Sequence, residues 1–120
     1  MIKPALLLLA SFTLGTAPAP QDYGKDMAAA DRAACVAKGG AVQRLGMLQH
    51  ESCVVRLKDA GKRCKSDGDC QGACWLDEKI DYQTLKPGQR VRGQCQPTSD
   101  GFGCHSLVEK GRYAGTLCAD

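Results

Sequence analysis

The hydrophobic and polar positions of the chain change their spacing several times between the termini. The longest apolar run, Ala5 to Leu14, stands behind a single cation, Lys3, and is followed by small residues and proline. A positive charge, a short apolar run and a small-residue end are typical of a secretory signal peptide. The run is too short for the roughly 20 residues that cross a bilayer as a helix. The pattern therefore predicts a signal peptide over residues 1–20 and an exported mature chain, periplasmic or secreted, without a membrane span.

Helical spacing follows a polar segment, residues 21–25, which we expect to be a flexible lead-in. Apolar side chains from Met27 to Ala37 recur at the spacing of one helical face. Asp26 stands where an N-cap is favoured, and Gly39-Gly40 can end the helix. We predict one N-terminal helix after Asp26, with Cys35 in its last turn and tied by a disulfide to the segment that follows.

Mixed apolar and polar runs then predict one or two short β-hairpins. The first hairpin is expected between Gly40 and Leu57, with its turn around Gln49. A second hairpin would pair Trp75-Leu76 with residues 90–96. Its long connection contains Pro87-Gly88, which is typical of a type II turn.

The remaining stretches are richer in turn-forming residues. Residues 61–74 combine glycine, aspartate and cysteine, which favour irregular glycine-rich turns over regular elements. Asp67-Gly68-Asp69 lacks the alternating ligands of a calcium loop, and we expect Asx-type hydrogen bonds there instead. Near the C-terminus, Ser106 to Glu109 matches a capping box and predicts a short helical turn that ends by Gly111.

Composition adds the strongest constraint on this picture. The chain has 120 residues with 8 cysteines and only 5% aromatic residues, so disulfides must supply stability that a small core lacks. Eight cysteines allow about a hundred pairings, and the sequence alone does not select among them. We favour the set that ties the helix to the first hairpin and the C-terminal turn to the chain end, namely Cys35–Cys53, Cys64–Cys74, Cys70–Cys95 and Cys104–Cys118.

Metal and redox chemistry are the alternatives for these cysteines. Cys95, Cys104, His105 and Cys118 include suitable zinc ligands, but no C-x-x-C pair occurs in the chain. The Cys70-x3-Cys74 spacing is one residue longer than that of thioredoxin-like motifs. We therefore expect structural disulfides, no metal site and no cofactor.

The charge pattern bears on partners. The net charge of +3 is too small for a general nucleic-acid binder. Basic residues are densest at Lys58, Lys62, Arg63 and Lys65, and Arg90 and Arg92 alternate as they would on one face of a strand. We name Lys62, Arg63, Arg90 and Arg92 as a candidate binding surface for an envelope protein, an anionic lipid or a polysaccharide; solubility is the simpler interpretation of the same charges.

The order of glycines and cysteines resembles that of uncharacterised small exported cysteine-rich proteins of Gram-negative bacteria. The residues that carry the resemblance run from Cys35-x3-Gly39-Gly40 through Asp59-Ala60-Gly61-Lys62 to Phe102-Gly103-Cys104. The resemblance implies export and disulfides but no particular activity. Locally, Cys64 to Cys74 is similar to the turns of whey-acidic-protein-like disulfide modules, which include protease inhibitors. This chain lacks the paired Cys-Cys of those modules.

Catalytic motifs are sparse. His50 and His105 are the only histidines, no G-x-S-x-G occurs, and disulfide-bonded cysteines cannot act as nucleophiles. We expect His105 to be a surface residue near a helix N-terminus. The sequence predicts a single disulfide-rich α+β domain over residues 26–120 that acts as a non-catalytic binding or structural module. The alternatives are a protease inhibitor that presents a basic loop at Lys62-Arg63 or Arg90, and a small hydrolase that uses His105.

Overall fold

The computed structural model describes residues 14–18 and 22–120, so most of the predicted signal peptide lies outside the described residues. Across these two ranges, no helix has the length and hydropathy needed to cross a membrane. The described chain forms one α-helix and two antiparallel sheets crosslinked by four disulfides, which confirms the small disulfide-rich α+β fold. The elements are α1 (Ala29–Ala37), β1 (Ala41–Leu45), β2 (His50–Val54), β3 (Arg63–Cys64), β4 (Cys74–Leu76), β5 (Gly93–Cys95), β6 (Gly103–Glu109) and β7 (Arg112–Ala119).

The predicted N-terminal helix is present, but it begins later than its expected cap. Ala28 occupies the N-cap position and has no side-chain acceptor for a capping bond, while the carboxylate of Asp26 binds the guanidinium of Arg44. Of the residues in α1, only Cys35 is buried, so the helix is held by its disulfide more than by an apolar face.

The first hairpin also matches the prediction. Strands β1 and β2 pair from Ala41 opposite Val54 to Leu45 opposite His50, and Gln49 lies in the turn with a φ of 54°. Gly24 and Lys25, in the segment expected to be a flexible lead-in, lie along this hairpin. The Gly24 N–H donates to the Leu48 carbonyl at 2.8 Å, and the Glu51 N–H donates to the Lys25 carbonyl at 2.9 Å.

The second sheet contains the second predicted hairpin. Its strand order is β3-β5-β4-β6-β7, and β4 pairs with β5 so that Trp75 faces Gln94. In the connection between them, the Gln89 N–H donates to the Lys86 carbonyl at 3.0 Å and Gly88 has a φ of 89°. These are the features of the type II turn expected at Pro87-Gly88.

The predicted helical turn from Ser106 to Gly111 is wrong, because this segment is part of the β6–β7 hairpin. Lys110 and Gly111 both have positive φ, at 50° and 72°, which makes a type I′ turn that suits paired strands. The Ser106 hydroxyl hydrogen-bonds the hydroxyl of Thr116 on the opposite strand at 2.7 Å rather than capping a helix. A capping bond contributes only about 1 kcal/mol, which a whole strand pairing outweighs.

Residues 61–74 are mostly irregular, as expected, apart from the two-residue strand β3 and one 3₁₀ turn at Asp67–Asp69. One carboxylate oxygen of Asp69 accepts from the N–H groups of Lys65 and Ser66, at 2.9 and 3.3 Å. Asp67 accepts from the Cys74 N–H at 2.8 Å. These aspartates shape the backbone through bonds to more distant N–H groups, and not through the bonds to the N–H two residues on that define the Asx turn we expected.

The four disulfides join Cys35 to Cys53, Cys64 to Cys74, Cys70 to Cys95 and Cys104 to Cys118, which is the favoured pairing. The main core cluster consists of Cys64, Cys74, Leu76, Cys95 and Val108, and Cys70, Ile80, Leu85 and Val91 pack against it. Disulfide-bonded cysteines thus occupy core positions that aliphatic and aromatic side chains fill in proteins with more large apolar residues.

A short pairing outside the named strands links the two sheets. Arg56 forms an antiparallel bridge with Thr98, and the Leu57 N–H donates to the Pro97 carbonyl at 3.0 Å. Val55 and Ser99 exchange two further bonds, at 2.9 and 3.0 Å. This pairing, between residues 55–57 and residues 97–99, fixes the first hairpin against the rest of the molecule.

Candidate functional site: a cationic groove

Six basic residues line one open cavity of about 560 Å³ beside the edge strand β3. We call this cavity the cationic groove. Val91 and the backbone around Gly93 and Gly111 also line it, and Asp69 is its single carboxylate. The six basic residues are Arg63, Lys65, Arg90, Arg92, Lys110 and Arg112.

The six cations come from three basic-x-basic pairs in distant parts of the sequence. The pairs are Arg63-x-Lys65, Arg90-x-Arg92 and Lys110-x-Arg112. In extended backbone, residues two apart project to the same side, which applies to Arg63-x-Lys65 and Arg90-x-Arg92. Lys110 and Arg112 instead flank Gly111 at the β6–β7 turn. The fold brings the three segments side by side around one cavity.

Backbone hydrogen bonds join the three segments at Gly111. The Gly111 N–H donates to the Lys65 carbonyl at 2.9 Å, and the Val91 N–H donates to the Gly111 carbonyl at 3.1 Å. Arg90 and Arg112 also form an isolated antiparallel bridge. The relative positions of the basic pairs are thus set by main-chain bonds rather than by flexible side chains.

The floor of the groove is tightly packed. A Cβ added at Gly93 would lie 2.5 Å from the Cys74 sulfur and 2.7 Å from the Cys64 carbonyl oxygen. Only glycine fits between the β5 backbone and the Cys64–Cys74 disulfide. The disulfide, the glycine and strands β3 and β5 form one rigid base under the basic side chains.

The lining of the groove has a larger excess of positive charge than the chain as a whole. Its lining holds six cations and one carboxylate, whereas the chain carries a net charge of +3. Hydrogen bonds from the backbone N–H of Lys65 and then of Ser66 hold the pKa of Asp69 below its ordinary value. The carboxylate is committed to these backbone bonds, is ionised, and offsets only one of the six positive charges in the lining.

Two of the arginines have partners on the protein. An Asp77 carboxylate oxygen lies 4.0 Å from a guanidinium nitrogen of Arg92, and Arg112 donates to the Gly88 carbonyl at 2.9 Å. Each of these contacts involves one guanidinium nitrogen. A guanidinium has five N–H donors, so both arginines retain donors for a ligand.

The groove contains part of the candidate surface named from the sequence. Arg63, Arg90 and Arg92 line it, and so does Lys65 from the densest basic stretch, whereas Lys62 and Lys58 are not among its lining residues. Sequence reasoning missed two residues, Lys110 and Arg112. Their basic-x-basic spacing, like that of Arg90 and Arg92, could have indicated them. We did not use this spacing because we had predicted a helical turn for the segment.

The histidines lie elsewhere. His105 is on strand β6, so its expected place near a helix N-terminus is wrong, and its ring stacks on Trp75 with 3.6 Å between centroids and 5° between planes. Its Nε2 hydrogen-bonds the Phe102 carbonyl at 2.8 Å. His105 shares a cavity of about 330 Å³ with Asp77 and Glu78. Asp77 already accepts from the Lys79 N–H at 3.0 Å, so its carboxylate holds the local backbone.

His50 opens strand β2, and its Nε2 contacts the Asp22 carbonyl. The zinc alternative also lacks free ligands, because Cys95, Cys104 and Cys118 are all in disulfides. Among the residues that the structure describes, two further groups hold ligand atoms within 4.8 Å of one another, and their cysteine sulfurs are oxidised as well. They are Cys64 with Cys70 and Cys74, and Asp59 with Cys70 and Cys95. A thiolate site would require reduction of the bonds that hold the core.

No protein-family model matches this chain, and neither a curated protein nor a solved structure shows significant similarity to it.

Proposed function

We propose that this chain is an exported, disulfide-stabilised and non-catalytic binding module, and that its cationic groove holds an anionic partner. The observation that carries the proposal is the convergence of three basic-x-basic pairs on one preformed cavity. Four disulfides are compatible with an extracytoplasmic location.

The charge distribution favours binding over solubility as the role of these residues. Soluble surfaces intersperse both signs, and a cluster of one sign raises the energy of the folded state by self-repulsion. Here six cations meet a single committed carboxylate. An anionic ligand would relieve this repulsion, and that gives it a favourable binding energy.

The side-chain chemistry points to phosphate, sulfate or carboxylate groups. Four of the six cations are arginines, whose planar guanidinium can make two parallel hydrogen bonds to such an anion. Because the backbone of the groove is already fixed by the bonds at Gly111, less ordering entropy is lost on binding. Anionic lipids and acidic polysaccharides of the cell envelope are the partner classes that carry these groups.

The test is a pair of charge-reversal variants with equal net charge. Arg90→Glu with Lys110→Glu changes the groove, and Lys38→Glu with Lys58→Glu changes two exposed lysines outside it. Inorganic polyphosphate and alginate serve as soluble polyanions, with affinity measured by calorimetry at two salt concentrations. We expect the groove variant to bind at least about tenfold more weakly, a difference of about 1.4 kcal/mol, and the control to stay close to the unmodified protein.

Equal losses in both variants would mean that only net charge matters and would contradict the proposal. Absence of binding to either polyanion by the unmodified protein would contradict it as well. Near-ultraviolet circular dichroism and mass measurement without reductant verify that each variant keeps its fold and its disulfides.

The two alternative functions have less support. The Lys62 N–H donates to the Asp59 carbonyl, and the Lys62 carbonyl accepts from the Cys95 N–H at 2.7 Å. Arg63 belongs to strand β3, so neither residue lies on a free loop of the kind that a protease inhibitor presents. For a hydrolase, the Nε2–H of His105 is donated to the Phe102 carbonyl, so only Nδ1 could serve as a base, and the ring is stacked on Trp75. Trypsin inhibition and ester hydrolysis assays test these alternatives directly.

A further inference from the structure

A second cavity of about 560 Å³ adjoins the cationic groove and differs from it in character. Arg90, Val91 and Arg92 line both cavities, so the two adjoin each other along this segment. On the far side, Ile80 and Leu85 contribute apolar surface. We call the surface formed by Ile80, Leu85 and Val91 the apolar pocket.

The apolar pocket is part of the built structure. Ile80, Leu85 and Val91 are half-buried and pack against the disulfide core. The loop that carries them is held by hydrogen bonds, with the Asp77 N–H donating to the Arg92 carbonyl at 3.0 Å and the Ile80 N–H to the Asp77 carbonyl at 2.9 Å. The pocket therefore keeps its shape without a ligand.

The charged residues at the rim of the apolar pocket are also held by contacts within the protein. Its one carboxylate, Asp77, is paired with Arg92 and accepts from the Lys79 N–H, so it is compensated on the protein. Arg90 stands at the boundary between apolar surface and positive charge. Lys79 and Gln89 also line this cavity. A ligand with an anionic end in the groove and an apolar end over Ile80, Leu85 and Val91 would match both surfaces.

We propose that the two cavities form one site for an anionic single-chain lipid, with its phosphate in the cationic groove and its acyl chain against the apolar pocket. This inference rests on the proposed function and names the ligand class of the same site. An acidic polysaccharide is polar along its whole length and has no group that covers Ile80, Leu85 and Val91. A lipid chain removes that surface from water, so the two kinds of ligand differ in their expected dependence on chain length.

The experiment uses the full mature protein with inorganic phosphate and with hexyl, octyl and decyl phosphate, all below their micelle-forming concentrations. We expect affinity to rise with chain length, by about two- to fourfold for each methylene that is buried. Phosphocholine detergents of the same chain length carry no net charge and should bind more weakly. In two-dimensional NMR spectra of the unmodified protein, the Ile80 and Leu85 signals should shift only with the chain-bearing ligands, whereas Val91, which lines both cavities, should shift with inorganic phosphate as well.

Variants separate the two halves of the site. Leu85→Asn should abolish the chain-length dependence and leave polyphosphate binding intact, and Arg90→Gln should weaken every anionic ligand. Leu48→Asn, an exposed leucine on the first hairpin, is the matched control and should change neither.

The outcomes also distinguish this inference from the proposed function. If polyphosphate and alginate bind through the groove but the alkyl chain adds no affinity and shifts no pocket signal, the lipid assignment is overturned and the groove remains a polyanion site. If neither the polyanions nor the alkyl phosphates bind, both proposals fall. Equal binding of anionic and phosphocholine amphiphiles would also overturn the lipid assignment, because charge would then have no role.

Discussion

Two disulfides in this molecule close chain loops of similar length in opposite surroundings. Cys64–Cys74 spans a sequence separation of 10 and is buried, with its cysteines 5% and 0% exposed. Cys104–Cys118 spans a separation of 14, and both of its cysteines are exposed on the β6–β7 hairpin. The first disulfide belongs to the core and supports the floor of the cationic groove, whereas the second joins strands that are already paired.

The difference separates two sources of disulfide stability. If a crosslink acted only by reducing the entropy of the unfolded chain, these disulfides would contribute about equally, roughly 3 kcal/mol each, with the longer loop slightly ahead. Burial adds packing to the first disulfide alone. In a chain with 5% aromatic residues, the sulfur atoms also serve as core volume, so we expect the shorter and buried crosslink to contribute more.

The largest expected effect comes from removing each disulfide. We expect Cys64→Ala with Cys74→Ala to lower the free energy of unfolding by about 4–6 kcal/mol, because crosslink and packing are both lost. Cys104→Ala with Cys118→Ala should cost about 2–3 kcal/mol. Denaturant unfolding monitored by circular dichroism measures both values. An equal or larger loss from the exposed pair would mean that loop entropy alone explains the stability.

Glycine substitutions test the packing contribution with all disulfides intact. Gly93→Ala places a Cβ against the Cys74 sulfur and the Cys64 carbonyl oxygen, and we expect a loss of about 1–3 kcal/mol. Gly68→Ala is the control, since nothing lies within 4 Å of its Cβ and the change should stay within about 0.5 kcal/mol. Thermal unfolding measures both variants. If Gly93→Ala lowered stability no more than the control, the packing around Gly93 would not be tight enough to exclude a Cβ.

Partial reduction compares the two disulfides by the rates at which they are reduced. Under native conditions a reductant reaches an exposed disulfide directly but needs local opening to reach a buried one. We expect Cys104 and Cys118 to be alkylated at least about tenfold faster than Cys64 and Cys74 when a phosphine reductant and a thiol reagent are applied together. Peptide mapping by mass spectrometry gives the order, and simultaneous labelling of all four residues would contradict the assignment.

The smallest effect concerns the turn inside the Cys64–Cys74 loop. Backbone N–H donors hold the pKa of Asp69 below its ordinary value, so its charged form stabilises the fold above about pH 4. That contribution is lost as the pH falls through the lowered pKa of the folded state. Asp69→Asn should therefore reduce stability at neutral pH and flatten the acid side of the pH–stability curve. An unchanged curve would mean that the N–H bonds contribute no net stability.

Local patterns predicted most of the fold and only part of the groove. The helix containing Cys35, the hairpin turning near Gln49 and the Pro87-Gly88 turn each depend on signals within a few residues. The turn after Ser106 was predicted wrongly because a capping motif is a local signal, whereas the β6–β7 pairing is decided across the strands. The groove forms only when residues 63–65, 90–92 and 110–112 are hydrogen-bonded side by side around Gly111. No local sequence pattern predicts that these three distant segments meet.

The order of the disulfides along the chain also determines at which peptide bonds a protease can cleave while the two parts stay covalently joined. Between Cys35 and Cys118, every peptide bond lies inside a disulfide loop except those in two connectors, residues 53–64 and residues 95–104. These connectors are the segments that pair with each other at Arg56 and Thr98. Hydrogen bonds thus cover part of each stretch that covalent crosslinks leave unprotected. A single cut inside any disulfide loop leaves one covalent molecule, whereas a cut in either connector leaves two fragments that only non-covalent contacts hold together.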